Sequence, residues 1–252
     1  MIQTTKMPSK KETLTVLVIM ALFLLLTTVF IGLRSEHLLI AALYLILFFA
    51  GLPTRKLAVA LLPFALFGIS YDWMRICPNY EVNPIDVEGL YNLEKSLFGV
   101  MDNGVLVTPC EFFAAHHWAM ADVFAGIFYL CWVPVPILFG LCLYFKKERK
   151  TYLRFALVFL FVNLIGFAGY YIHPAAPPWY AIIGKCRWYV ITLFSIIMAG
   201  IWGTAVYSCH HYIIDVLLGI SCALTGWLVF EYGLMKIRGF RNFFERYYQY
   251  IK

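Results

Sequence analysis

Seven long apolar runs, most of them closed off by charge, decide what this chain can become. They are Leu14–Leu33, Leu38–Leu52, Leu57–Met74, Trp118–Phe145, Tyr152–Tyr171, Trp188–Val206 and Tyr212–Leu234. About twenty apolar residues span a bilayer as helix, and within hydrocarbon only helices or closed barrels satisfy their own backbone groups. Hydrophobic residues make up 62% of the chain and charged ones only 13%, which excludes an ordinary soluble domain. The expectation is an all-α, polytopic transmembrane helix bundle forming one membrane-embedded domain. Residues 1–74 would supply three N-terminal spans and residues 118–235 the core spans. Residues 75–117 would be a long outer loop, and 236–252 a basic amphipathic tail.

The charges orient this bundle. Lys6, Lys10 and Lys11 precede the first run, which lacks a small-residue cleavage site and is expected to stay as an anchor. Arg55, Lys56 and the run Lys146-Lys147-Glu148-Arg149-Lys150 mark the cytoplasmic side. The net charge of +6 thus reads as topology and headgroup contact, and no nucleic-acid partner is expected. The long loop instead carries Glu81, Asp86, Glu88, Glu94, Asp102 and Glu111 against Arg75 and Lys95. Within it Val87–Val100 and Pro109–Trp118 mix aromatics with charge and predict interfacial helices. His116-His117 point to different helix faces and make a poor metal site. Pro134 and Pro136 predict a kink in the fourth span. The seven cysteines lack zinc or redox spacing. Cys77 and Cys110 share the polar loop and are either disulfide-bonded or two thiols.

One conflict stands out in the topology. The fifth span delivers Pro174-Ala175-Ala176-Pro177-Pro178-Trp179-Tyr180 to the outer face, yet Lys185 and Arg187 follow at once as an inner anchor. Seven spans starting inside must end outside, but the tail with Lys236, Arg238, Arg241 and Arg246 is basic. One further span between Tyr180 and Lys185 would remove both contradictions. A span and its loop would need roughly forty residues or more.

Chemistry concentrates in Tyr207-Ser208-Cys209-His210-His211-Tyr212-Ile213-Ile214-Asp215. On a helix His211 and Asp215 share one face, so the carboxylate can fix the tautomer and leave the other nitrogen as nucleophile or base. An interfacial His and Asp capping the last span is the plainer alternative. His210 would point elsewhere.

These residues resemble the inositol phosphorylceramide synthases, which belong to the type 2 phosphatidic acid phosphatase superfamily of membrane phosphotransferases. The likeness runs over Phe161–Gly219 and rests on Pro174–Tyr180 joined with the His-His-Tyr-x-x-Asp turn. Tyr71-Asp72-Trp73-Met74-Arg75 is similar to a Tyr-Asp-x-x-Arg element of bacterial members. The resemblance implies that His211 takes the phosphoryl group as a phosphohistidine and that Asp215 orients it. It also implies substrate-binding roles for Tyr71, Asp72, Arg75, Pro177, Pro178, Trp179, Tyr180, Tyr207 and His210, with no metal and no cofactor. The substrates would be phosphatidylinositol and a ceramide-type acceptor, handled in a bacterial inner membrane with the site on the non-cytoplasmic face.

The sequence also departs from the superfamily pattern. A second histidine, in a Pro-Ser-x-His-Ser element before the preceding span, serves the superfamily as acid and then base, and no such element is present. Ala205 stands where the superfamily has an arginine six residues before the nucleophile, and its Lys-x6-Arg-Pro signature is not recognisable. His173 is the remaining histidine placed to approach the site. The competing functions are a lipid phosphate phosphatase using water as acceptor, and a non-catalytic membrane protein that keeps the fold. The charge pattern makes its own prediction about topology. A cysteine introduced in the Lys146–Lys150 loop should resist an impermeant thiol reagent in intact cells, whereas one near Asp102 should react. The reverse labelling would overturn the orientation.

Overall fold

The computed structural model describes residues 7–82, 88–172, 200–208 and 211–252. The chain divides into two compact bodies, residues 1–78 with 238–252, and residues 79–237.

The first body is built on α1 (Lys10–Phe30) and α2 (Ser35–Ala50). Ser9 and Glu12 close the start of α1 with a reciprocal capping box. Gly32 supplies the left-handed residue (φ +89°) that turns the chain into α2. At this corner Arg34 bonds Asp72, and His37 Nε2 lies 2.9 Å from the same carboxylate. Arg55 is buried rather than an exposed anchor, because its Nε donates to the Phe48 carbonyl at 3.2 Å near the end of α2. The third apolar run is two helices, α3 (Leu52–Ala60) and α4 (Leu62–Trp73), and the second of them, with the turn that continues it to Ile76, is bent 45° from the first. Pro63 at its start explains the break, since it cannot donate to the preceding turn. The basic tail forms a helix over Arg238–Ile251 whose Phe244 and Ile251 are buried, and Tyr247 donates to the Val59 carbonyl at 2.6 Å. It is therefore packed on one face.

The second body begins with α5 (Asn79–Val82) and α6 (Glu88–Phe98). Val100–Asp102 and Val105–Val107 then form the antiparallel hairpin β1–β2, which the expectation of helices alone did not contain. Asn103 and Gly104 both take positive φ (48° and 82°), the backbone that a two-residue hairpin turn needs. The helix α7 (Pro109–Ala115) follows, capped by Thr108. The fourth span is α8 (Ala119–Cys131) and α9 (Pro134–Phe145), bent 51° just before Pro134 as the prolines predict. Lys147, left-handed at φ 64°, turns the chain into α10 (Arg149–Ile172). Residues 200–207 form the helix α11, and α12 (Ile213–Leu228) takes up the end of the His-His-Tyr-x-x-Asp turn. Among the described residues three helices are long and apolar enough to cross a membrane, or five if each bent pair is one span; α2 is shorter.

Packing of α12 on α10 frames the site. Arg154 Nε lies 3.0 Å from Glu231, so this arginine serves an ion pair and not the basic loop alone. A Cβ on Gly226 would stand 2.7 Å from Val162 Cγ2 and 3.5 Å from its Cα. A branched side chain anchored to helix backbone cannot yield easily. Gly226→Ala should thus cost about 1–3 kcal/mol through overpacking and lower the unfolding temperature in detergent. Gly166→Ala on α10, where a Cβ meets nothing within 4 Å, should not. Equal melting of both variants would disprove the close approach.

Candidate active site

The turn between α11 and α12 is built from both flanks. Ser208 closes α11, its N–H and its hydroxyl both donating to the Thr204 carbonyl at 2.8 and 2.7 Å. His211 N–H donates to the Ala205 carbonyl at 3.0 Å. Tyr212 is extended (φ −76°, ψ 158°) and occupies the N-cap position of α12 without capping it through its side chain. His211 therefore precedes the helix, which corrects the expectation that it shares a helix face with Asp215. The two meet all the same. Asp215 is the third residue of α12, and its Oδ2 accepts the Tyr212 N–H at 3.1 Å. That reach backward places Oδ2 3.6 Å from His211 Nδ1, just beyond hydrogen-bond length and of the kind that tightens when substrate binds.

Exposure divides the pair. The Asp215 side chain is 8% exposed and that of His211 39%. With Nδ1 turned to the carboxylate, Nε2 is the nitrogen left for an incoming group. Among the described residues Asp215 Oδ1 is buried without a hydrogen-bond partner.

Two side chains between α5 and α8 hold this turn, and the sequence reading missed both roles. Glu94 on α6 is fully buried, and its carboxylate accepts the Ile213 and Ile214 N–H groups at 2.9 and 3.2 Å. Cys110 on α7 is buried with Sγ 3.5 Å from the carbonyls of Val206 and His211. Neither Cys110 nor Cys77 is in a disulfide. The only sequence signal for Glu94 is a carboxylate on the apolar side of Leu90, Leu93 and Leu97. The Thr108 N–H holds the Glu111 carboxyl below its usual range. Glu94 and Asp215 both turn a carboxylate to the backbone amides of this turn, while the His211 side chain keeps an exposed edge.

Tyr207 donates to Asp122 Oδ1 at 2.6 Å and accepts the Trp118 N–H at 3.0 Å. His117 Nδ1 lies 3.7 Å from Asp122 Oδ2. Tyr207, Asp122 and His117 line an open cavity of about 470 Å³ with Phe113, Thr204 and Ser208. Tyr71, Asp72 and Arg75 belong to the first body. There Asp72 is held by Arg34, His37 and Arg75 (the last at 3.5 Å), while Tyr71 and Arg75 are exposed. Arg34 and His37 are partners that the short Tyr-Asp-x-x-Arg element did not announce. His173, Pro177, Pro178, Trp179, Tyr180, His210 and the stretch Ile182–Lys185 lie outside the described residues. Among the described residues no three His, Cys, Asp or Glu side chains converge as metal ligands.

Comparison with known proteins adds a family to this geometry. Residues 89–187 match the PAP2 superfamily. The chain is 75% identical over 305 residues to the phosphoinositol dihydroceramide synthase of Bacteroides thetaiotaomicron, covering 98% of this chain and 100% of that protein. The aligned stretch is 305 residues long and this chain has 252, so at least 53 aligned positions have no counterpart here. No solved structure matches. With a carboxylate-backed histidine turn and a relative this similar over its full length, the chain belongs to the PAP2 superfamily, as a bacterial-type member of the inositol phosphorylceramide synthase family.

Proposed function

We propose that this chain is a membrane enzyme that transfers a phosphoinositol headgroup from phosphatidylinositol to a ceramide or dihydroceramide acceptor. The observation that carries this is the 75% identity to a phosphoinositol dihydroceramide synthase together with the His211–Asp215 pair. His211 Nε2 attacks phosphorus and the bond to the diacylglycerol oxygen breaks. That alkoxide leaves with a proton from a general acid, and a phosphohistidine remains. The primary hydroxyl of the acceptor then attacks phosphorus, gives its proton to the now deprotonated general acid, and the phosphorus–nitrogen bond breaks to release the imidazole. Asp215 stabilises the imidazole in the tautomer that presents Nε2 and supports the positive charge it acquires. Tyr71, Asp72, Arg75, His210, Tyr207 and the Pro177–Tyr180 stretch serve as substrate-binding groups. The reaction takes place on the non-cytoplasmic face of the bacterial inner membrane.

The general acid is the histidine that family resemblance puts before the preceding span. We place it in a segment between Tyr180 and Lys185 that the relative has and this chain lacks. The alignment longer than the chain supports this, as does the charge conflict at Lys185 and Arg187.

Membranes carrying the chain, incubated with labelled phosphatidylinositol and ceramide, test the reading. Inositol phosphorylceramide is the expected product, with turnover raised when the relative's segment is restored between Tyr180 and Lys185. Free phosphate in its place would make the protein a lipid phosphate phosphatase, and no product from the restored chain would make it non-catalytic. Folded His211→Ala should lose both transfer and the covalent phosphoenzyme. Asp215→Asn should lower turnover by about a thousandfold or more, as when a catalytic imidazole loses its tautomer. Wild-type rates in His211→Ala would refute the nucleophile.

A further inference from the structure

The start of α12 poses a problem that its own sequence does not solve. The first amide groups of any helix lack intrahelical partners. They are ordinarily met by a Ser, Thr, Asp or Asn at the N-cap. Here the N-cap is Tyr212, whose side chain does not cap. Asp215, the one acidic residue of the first turn, is committed to the Tyr212 N–H and to His211. The Ile213 and Ile214 N–H groups are instead taken by Glu94, 119 and 120 residues earlier in the chain.

We infer that Glu94 is a positioning residue for the transfer reaction, its buried carboxylate fixing the turn that carries His211. The inference builds on the proposed function, since it names what holds that reaction's nucleophile. Three observations carry it. Glu94 is fully buried, and a buried carboxylate that lost these donors would be strongly penalised. It grips the two amides directly after His211-Tyr212, while Cys110 from the same outer loop abuts the His211 carbonyl at 3.5 Å. The nucleophile is thus pinned from both sides by α6 and α7, two elements that meet no substrate through these contacts. Glu94 also fills the anion site that the α12 N-terminus would otherwise offer. The donor phosphate is thereby kept off the helix end and directed to the open edge of His211.

Glu94→Gln is the informative change. Its amide oxygen can accept one N–H, but its NH2 must face the other. The first readout needs no turnover. In the detergent-solubilised full chain, amide exchange over residues 211–216 should quicken about tenfold or more as these hydrogen bonds weaken, with exchange in α10 unchanged. The rate at which an imidazole-acylating reagent modifies His211, read by mass spectrometry, should shift with it. The second readout is kinetic. A fall in kcat of about ten- to a hundredfold with KM for both lipids held within about twofold is expected of a misplaced nucleophile. Should Glu94→Gln fail to fold, Glu94→Asp, which keeps the charge but withdraws it by one methylene, is measured in the same way. Unchanged exchange and acylation in a folded variant would overturn the inference, as would wild-type kcat or a matched change in kcat and KM. If the variant exchanges faster but the chain transfers nothing even with the relative's segment restored, the clamp stands and the synthase reading falls.

Discussion

A backbone amide near the membrane has to be given a partner, and at the first turn of α12 that partner is a carboxylate from far upstream. Much of the second body follows from this single demand. Glu94 reaches the turn because α6 is held close, and Cys110 reaches it because the hairpin and α7 return the chain to the same place. The segment from α6 to α7 is consequently a structural part of the turn, not a cover over it. Its acidity, which reads at first as avoidance of the membrane interior, is partly spent on hydrogen bonds to the backbone of the turn.

The same demand explains the division of labour within the histidine pair. Asp215 faces the protein and is saturated on one oxygen by the Tyr212 N–H. His211 keeps its other edge outward. Glu94 and Asp215 are turned to the backbone of the turn, so the His211 edge is the part of it left exposed. A charge cluster of a different kind orders the first body, where Asp72 gathers Arg34, His37 and Arg75 at the end of an apolar helix. Each is a way of carrying charge near hydrocarbon without leaving it alone.

The long apolar helices, the kink before Pro134 and the pairing of His211 with Asp215 were legible because each depends on neighbours in sequence. Apolar length, a missing N–H and a four-residue offset are local quantities. His211 was placed one step too far into the helix, since the pattern fixes the spacing but not where the helix begins. The hairpin was announced by Asn103-Gly104 and passed over in an otherwise helical chain. Glu94, Cys110, Arg34 and His37 were illegible for a firmer reason. Their partners lie 35 to 120 residues away, and nothing in a residue's own surroundings reveals which distant amide or carboxylate it will meet.

The grip of Glu94 on Ile213 and Ile214 has a consequence for how such proteins can change. A loop that grips a catalytic turn cannot be exchanged as an independent module, whether by recombination or by the engineer. Residues 88–115 and 206–216 make up one heritable unit despite the spans that separate them. A chimera that imports a new 88–115 segment must import the matching turn with it. Otherwise it inherits a histidine turn whose anchor belongs to another protein.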